Sequence, residues 1–299
     1  MDFWSTLFNF SDYGELLYLV RNSLIAGAVL GVVGGLIGPF VMSRDLAFAV
    51  HGISELSFAG AAAALLFGVN VVAGSIGGSL AAALIIGLLG NRARERNSIV
   101  GVLMPFGLGL GILFLALYPG RTANKFGLLT GQIVSVDNPQ LGLLVVIAAI
   151  VIAGLVIMWR PLTFASVDPD VARARAVPVT AISIAFMVLL GLATAISIQI
   201  VGALLVLALL VTPAAAAMRV TSSPLLTPVL SVIFAMVSVV GGIMLSLGGA
   251  LPISPFVTTI SFAIYVACRI IGRYRDSRGL GARGARKPSA PTAPVTAVS

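Results

Sequence analysis

The sequence predicts an all-α protein, a polytopic bundle of eight to nine transmembrane helices. Of its 299 residues, 59% are hydrophobic and only 9% are charged, and the mean hydropathy is +1.11. Soluble domains carry about 25% charged residues, so a chain this apolar has too few polar residues to cover a water-facing surface. Apolar segments recur with no polar block between them, which indicates one membrane domain at residues 17–272.

Nine apolar segments approach the length of about 20 residues that a helix needs to cross the hydrocarbon core. They lie at residues 17–40, 46–68, 71–90, 98–118, 141–159, 179–197, 199–217, 225–248 and 256–272. The sixth and seventh are separated only around Ser197–Gln199, where the chain makes either a sharp turn or a break within a helix. Eight full spans with one partial segment is therefore the alternative to nine.

Basic residues in the short connections predict the orientation, because cytoplasmic loops carry an excess of Lys and Arg. Arg121 and Lys125 fall on one side of a nine-span chain. A larger group falls on the other side, namely Arg44, Arg92, Arg94, Arg96, Arg160, Arg173, Arg175 and Arg219. This distribution predicts a multi-pass protein of the plasma membrane with a cytoplasmic C-terminus. The N-terminal segment, residues 1–16, is then outside with nine spans and inside with eight.

The net charge of +8 does not indicate nucleic-acid binding, because seven of the 18 basic residues lie at or beyond Arg269. Residues 273–299 bury too little apolar surface to fold, and we predict a disordered cytoplasmic tail beside anionic membrane lipid. The sequence has no GxxxxGK[ST] loop for ATP and no HExxH, GxSxG or paired-cysteine pattern. These absences argue against an enzyme.

One polar pair interrupts the second apolar segment. Between Asp45 and Arg92 the only charged residue is Glu55, and the only histidine of the chain, His51, lies four residues before it. That spacing places both side chains on one helix face. A carboxylate in lipid costs several kcal/mol unless it faces a cavity or a partner. The pair can bind a divalent transition metal, relay protons, or hold two helices together by hydrogen bonds.

Small residues recur at a spacing of four, which lets helix backbones approach closely. The sets are Gly27, Gly31 and Gly35; Gly34 and Gly38; Gly74 and Gly78; and Gly107 and Gly111. We expect packing within one compact bundle rather than dimerisation through these residues.

Five stretches resemble, in the same order, the integral membrane permeases of metal-ion ABC importers, the zinc, manganese and iron group. PFVMSRDLAFAVHGISELSFAGAA resembles the passage from span one into span two, and RNSIVGVLMPFGLGLGILFL resembles the opening of span four. RPLTFASVDPDVARARAVPV resembles the DP-x-x-A-x-x-x-G-V segment before span six. IQIVGALLVLALLVTPAAAAMR resembles the signature VGALLV-x-ALL-x-x-PAA-A, and SVVGGIMLSLGGALPISPFVTTI resembles the Gly-rich stretch near the C-terminus.

The chain departs from the family pattern at two places. The family commonly has an Asp followed four residues later by a His in span two, whereas this chain has His51 and then Glu55. The carboxylate–imidazole pair is thus kept in reverse order, and the resemblance implies a role in a metal path, for zinc or manganese first and ferrous iron third. Ala176 replaces the usual Gly of the DP segment.

The resemblance also implies partners. Such permeases work as homodimers with two cytoplasmic ATPase subunits and an extracytoplasmic metal-binding protein. The chain would bind no cofactor, and the divalent metal would be its cargo. The alternative that the residues alone leave open is a secondary transporter that uses Glu55 as a proton carrier.

A cytoplasmic coupling segment would transmit closure of the ATPases to such a permease. The first candidate is residues 213–227, with Pro213, Arg219, Thr221 and Ser222. The second candidate is residues 168–178, with Asp168, Asp170 and Arg173.

Overall fold

The computed structural model describes residues 13–90, 93–120, 136–203, 206–247 and 253–277, and all regular structure in these ranges is helical. The helices are α1 (Tyr13–Leu19), α2 (Arg21–Ser43), α3 (Ala47–Phe67), α4 (Val71–Leu89), α5 (Ala93–Leu117), α6 (Asn138–Val167), α7 (Pro169–Ala174), α8 (Val179–Val201), α9 (Val206–Leu210), α10 (Thr212–Val220), α11 (Leu226–Leu247) and α12 (Ile253–Ser277).

Eight helices of the described ranges are long and apolar enough to cross a membrane: α2, α3, α4, α5, α6, α8, α11 and α12. This confirms the predicted all-α membrane bundle. Arg92, Arg121, Lys125 and the tail from residue 278 onward lie outside the described residues.

The predicted seventh span at 199–217 is wrong as a continuous helix. Helix α8 runs on to Val201 and ends at Gly202, whose φ of +86° is a conformation that favours glycine. The chain then forms the short helices α9 and α10. Pro213, near the start of α10, has no backbone N–H to donate to a preceding turn. The alternative of eight full spans and one partial segment therefore describes this region.

Several helices extend beyond the apolar segments. Helix α6 continues through Arg160 and Pro161, where the prediction placed its end at residue 159. Helix α5 begins at Ala93 rather than residue 98, and α12 continues to Ser277, into the region assigned to the tail. Such extensions are possible because a helix that crosses the hydrocarbon core can continue into the polar interface of the membrane.

The glycines of α2 pack inside the bundle, as predicted. Gly27, Gly31 and Gly35 face α11, and a Cβ added at Gly31 would lie 3.0 Å from the Cα atom of Met236. On the neighbouring face of α2, a Cβ at Gly38 would lie 2.7 Å from the Cβ atom of Ala214 in α10. Because these glycines are covered within one chain, they bring helices of the same molecule together.

Candidate functional site

Helix α3 carries the predicted pair and has a well-defined end. It begins after Leu46 and stops at Gly68, which has a φ of +68°. The N–H of Val69 donates to the carbonyl of Ala64 at 2.9 Å and closes the last turn. His51 and Glu55 therefore lie in the first half of a regular helix, near the end where α2 turns into α3.

His51 and Glu55 lie side by side but form no hydrogen bond. The distance from His51 Nε2 to Glu55 Oε1 is 3.7 Å, which is longer than the usual hydrogen-bond range. The Glu55 side chain is 4% exposed and the His51 side chain is 26% exposed. The carboxylate is therefore enclosed by the bundle, while the imidazole reaches the surface of the single chain.

The imidazole of His51 has no hydrogen-bond partner in the described part of the chain. Its Nδ1 atom is buried and unpaired. The hydroxyl of Ser54 donates instead to the backbone carbonyl of His51, at 2.7 Å. A neutral imidazole has one unprotonated nitrogen, so the pair can offer one nitrogen and one carboxylate oxygen to an ion.

Glycines on both neighbouring helices hold α3 close at this level. From α4, a Cβ added at Gly78 would lie 3.0 Å from the carbonyl carbon of Leu56. From α5, a Cβ added at Gly107 would lie 3.0 Å from the carbonyl carbon of Glu55. Since backbone atoms cannot rotate away as side chains can, these contacts fix the position of the α3 backbone beside the pair.

Buried serines connect α3 to its neighbours one turn beyond the pair. The hydroxyl oxygens of Ser57 and Ser75 are 2.8 Å apart, and Ser57 Oγ also donates to the Ser75 carbonyl at 2.9 Å. Ser75 Oγ in turn donates to the carbonyl of Ala195 in α8, at 3.4 Å. Ser75 was not among the predicted site residues, because nothing in its local sequence signals a contact with α3.

The described residues contain no group of three or more His, Cys, Asp or Glu side chains that could hold a metal ion. His51 and Glu55 are thus two ligands without a third of these types nearby. Two ligands are fewer than the four that zinc usually takes in proteins.

The first candidate coupling segment starts buried and ends exposed. Pro213 is buried in the first turn of α10, and Arg219 is exposed in its last turn. Thr221 and Ser222 follow the end of the helix, where Thr221 Oγ1 accepts from the N–H of Ser223 at 3.2 Å.

Helix α12 braces the end of α10. Arg275 Nη1 donates to the carbonyl of Val220 at 2.9 Å. The backbone of Gly272 lies directly against the Arg219 carbonyl, where a Cβ would not fit. The last turn of α10 is therefore tied to the final described helix.

The second candidate coupling segment is a short capped helix. Asp168 Oδ1 accepts from the backbone N–H groups of Asp170 and Val171 at 3.1 and 3.0 Å and so caps α7. Asp170 and Arg173 form an exposed ion pair at 2.8 Å. Ala176 has a φ of +58°, so the position that is usually Gly in the resembled family is left-handed in this chain.

The eight membrane-length helices of the described ranges, with the Glu55 carboxylate enclosed among them, define a multi-pass membrane protein. The family comparison defines it further, because residues 17–272 match one family over most of the chain. The chain belongs to the ABC 3 transport family.

Several similar proteins are described as manganese permeases. The manganese transport system membrane protein MntC of Halalkalibacterium halodurans is 29% identical over 228 residues, which cover 76% of this chain and 78% of MntC. MntC of Listeria monocytogenes is 30% identical over 228 residues, covering 76% and 81%. In the solved structure of PsaBC from Streptococcus pneumoniae in complex with Fab, one chain matches with a TM-score of 0.80 and 25% identity, covering 90% of this chain and 99% of that one. The predicted resemblance to metal-ion ABC permeases is thus confirmed.

Proposed function

We propose that this chain is the permease subunit of an ABC importer that moves a divalent transition metal ion across the plasma membrane into the cytoplasm. The observation that carries the proposal is the enclosed Glu55 carboxylate beside His51, whose ring nitrogens bind nothing else in the described residues. Manganese is the expected cargo because the named relatives are manganese permeases. Zinc and ferrous iron also suit an imidazole nitrogen and a carboxylate oxygen, so the preference for manganese rests on the relatives.

Weak, incomplete ligation suits a transport path, because an ion must leave the site as readily as it enters. One chain offers one nitrogen and one oxygen at this level. In a homodimer the two copies would bring two such pairs to a shared path, which provides four ligands without cysteine. The exposed edge of the His51 imidazole is the side from which a second copy would complete the site.

ATP hydrolysis would take place on separate cytoplasmic subunits, since the sequence has no phosphate-binding loop of the GxxxxGK[ST] type. An extracytoplasmic binding protein would deliver the metal. The C-terminal end of α10 and the residues up to 227 are our first choice for the contact with the ATPase, and residues 168–178 are the second. The exposed Arg219 and the exposed Asp170–Arg173 pair are the polar groups that these segments present.

The experiment is uptake of radioactive manganese by cells that express the full chain with its ATPase and binding protein. His51→Ala and Glu55→Ala, at membrane levels equal to the wild type, are expected to lower uptake by about tenfold or more, the effect typical of lost metal ligation. Glu95→Gln is the matched control, because Glu95 is an exposed carboxylate in the first turn of α5. Undiminished uptake in both alanine variants would remove the pair from the path.

The same assay tests the proton-coupled alternative. An ABC importer stops when its ATPase carries an inactivating substitution and continues for a time when the proton gradient is collapsed. The opposite pattern would identify a secondary transporter that uses Glu55 as its proton carrier. Membership of the ABC 3 transport family favours the first result.

A further inference from the structure

A second polar site lies at one end of the bundle, apart from His51 and Glu55. A cavity of about 310 Å³ is lined there by the end of α2 and the residues that join it to α3, by the ends of α4 and α6, and by residues of α5, α7 and α8. Its charged lining residues are Arg44, Arg96, Arg173 and Asp45. These side chains come from distant parts of the sequence and leave the cavity with an excess of positive charge.

Arg44 and Arg96 have only neutral hydrogen-bond acceptors. Arg44 donates to the hydroxyl of Ser166 at 3.3 Å and to that of Ser183. Arg96 Nη2 donates to the backbone carbonyls of Arg44 and Asp45 at 3.0 and 3.4 Å. Within the described ranges neither guanidinium has a carboxylate at ion-pair distance, whereas Arg173 is paired with Asp170.

The two positive charges are costly where they lie. Arg96 Nε is buried and has no partner among the described residues. The pKa of the Arg44 guanidinium lies below its usual range because burial disfavours the charged form, and the positive charge of Arg96 lowers it further. Arginine stays protonated under such conditions, so an anion between the two groups would relieve both the desolvation and the repulsion.

Two helix N-termini add to the positive potential. Neither α3 nor α8 has a side-chain cap at its start, and Leu46, Val179 and Thr180 from these starts line the cavity. The first N–H groups of a helix lack intrahelical acceptors and attract anions, phosphate above all. The C-terminal ends of α2, α4 and α6 line the same cavity and offset this contribution, so the positive charge of the site rests on the two arginines.

We propose that this cavity binds a phosphate group, either inorganic phosphate or the headgroup phosphate of an anionic lipid. Two guanidinium groups from different elements line it, and their N–H donors form charge-assisted hydrogen bonds with phosphate oxygens. The cavity lies at helix ends, where lipid headgroups meet a membrane protein, so both sources can reach it.

Thermal unfolding of the full chain in detergent tests for the free anion. Inorganic phosphate is expected to raise Tm by about 2 °C or more, relative to chloride and acetate at equal ionic strength. Arg44→Gln and Arg96→Gln should each remove this increment, which is measured against each variant's own Tm without phosphate. Arg175→Gln, at an exposed arginine just beyond α7 and outside the cavity lining, should keep it.

Native mass spectrometry tests for the lipid source, after extraction from vesicles of phosphatidylcholine with phosphatidic acid. Retention of phosphatidic acid by the wild type and Arg175→Gln, with loss in Arg44→Gln and Arg96→Gln, assigns a lipid phosphate. A Tm increment without lipid retention assigns the free anion. Equal stabilisation by acetate, no response to either source, or unchanged responses in both cavity variants would overturn the proposal. Because Arg44 lies between α2 and α3 and Arg96 is on α5, misfolding of one variant leaves the other as the test.

Discussion

Replacing Gly107 with alanine will push α5 away from α3 at the level of Glu55. The added Cβ would lie 2.6 Å from the Leu56 Cδ1 atom and 3.0 Å from the carbonyl carbon of Glu55. The Leu56 side chain can rotate, but the backbone at Glu55 cannot give way without moving the helix. We therefore expect the substitution to lower the free energy of unfolding and to disturb the position of the carboxylate.

Two other glycines of the same helix serve as references for the loss in the free energy of unfolding. A Cβ added at Gly101 or Gly109 meets nothing within 4 Å, so alanine there should stabilise the helix by about 0.5–1 kcal/mol. Gly107→Ala has the same gain and an additional overpacking cost of about 1–3 kcal/mol. The helix-propensity gain cancels in the comparison, which leaves Gly107→Ala less stable than Gly109→Ala by about 1–3 kcal/mol.

The assay is reversible denaturation of each variant in mixed detergent micelles, followed by manganese uptake at equal membrane levels. Gly107→Ala should lose both stability and uptake, while Gly101→Ala and Gly109→Ala should keep both. If Gly107→Ala proves as stable as Gly109→Ala, the close contact between α5 and the Glu55 backbone is refuted.

Two further substitutions test the local structure of the candidate coupling segments. Ala176→Gly should raise the free energy of unfolding by about 1 kcal/mol, because a φ of +58° strains an alanine but not a glycine; denaturation of the purified chain measures this. Arg275→Gln should speed amide exchange at the end of α10 about fivefold, since it removes a hydrogen bond to the Val220 carbonyl that contributes about 1 kcal/mol; exchange mass spectrometry measures this.

Each of these variants has a control close to it in the chain. Ala174→Gly, in the last turn of α7, should destabilise the chain because glycine is a poor helix former. If Ala174→Gly raised the free energy of unfolding as much as Ala176→Gly does, the left-handed conformation of Ala176 would be contradicted. Arg273→Gln changes an exposed arginine of the same helix, two residues before Arg275. Faster amide exchange in α10 with this variant would show that the loss of a positive charge, rather than the loss of the hydrogen bond to Val220, speeds the exchange.

Composition and apolar length were enough to predict the membrane bundle, since both report on the lipid environment directly. They could not predict the break after α8. Residues 199–217 are apolar throughout, and hydropathy measures apolarity rather than the continuity of backbone hydrogen bonds. The break depends on Gly202 adopting a positive φ and on Pro213, neither of which interrupts the apolar run.

The candidate pair was visible because it is local. His51 and Glu55 share a helix, so their spacing alone places them on one face. The contacts around them are not local, since Gly107 of α5 and Ser75 of α4 meet α3 only after folding. The basic cavity could not be predicted for the same reason. In the sequence Arg44 and Arg96 lie far apart, and each indicates only the orientation of the chain in the membrane.

The glycine contacts of α3 restrict the motions that this protein can make. Helices whose backbones touch at glycine can slide past each other only if they first separate, and separation of α3 from α4 would leave the buried hydroxyl of Ser57 without its partners in Ser75. Helices α3, α4 and α5 therefore behave as one rigid unit. Any change in the accessibility of Glu55 during a transport cycle requires this unit to tilt as a whole, rather than α3 turning on its own axis.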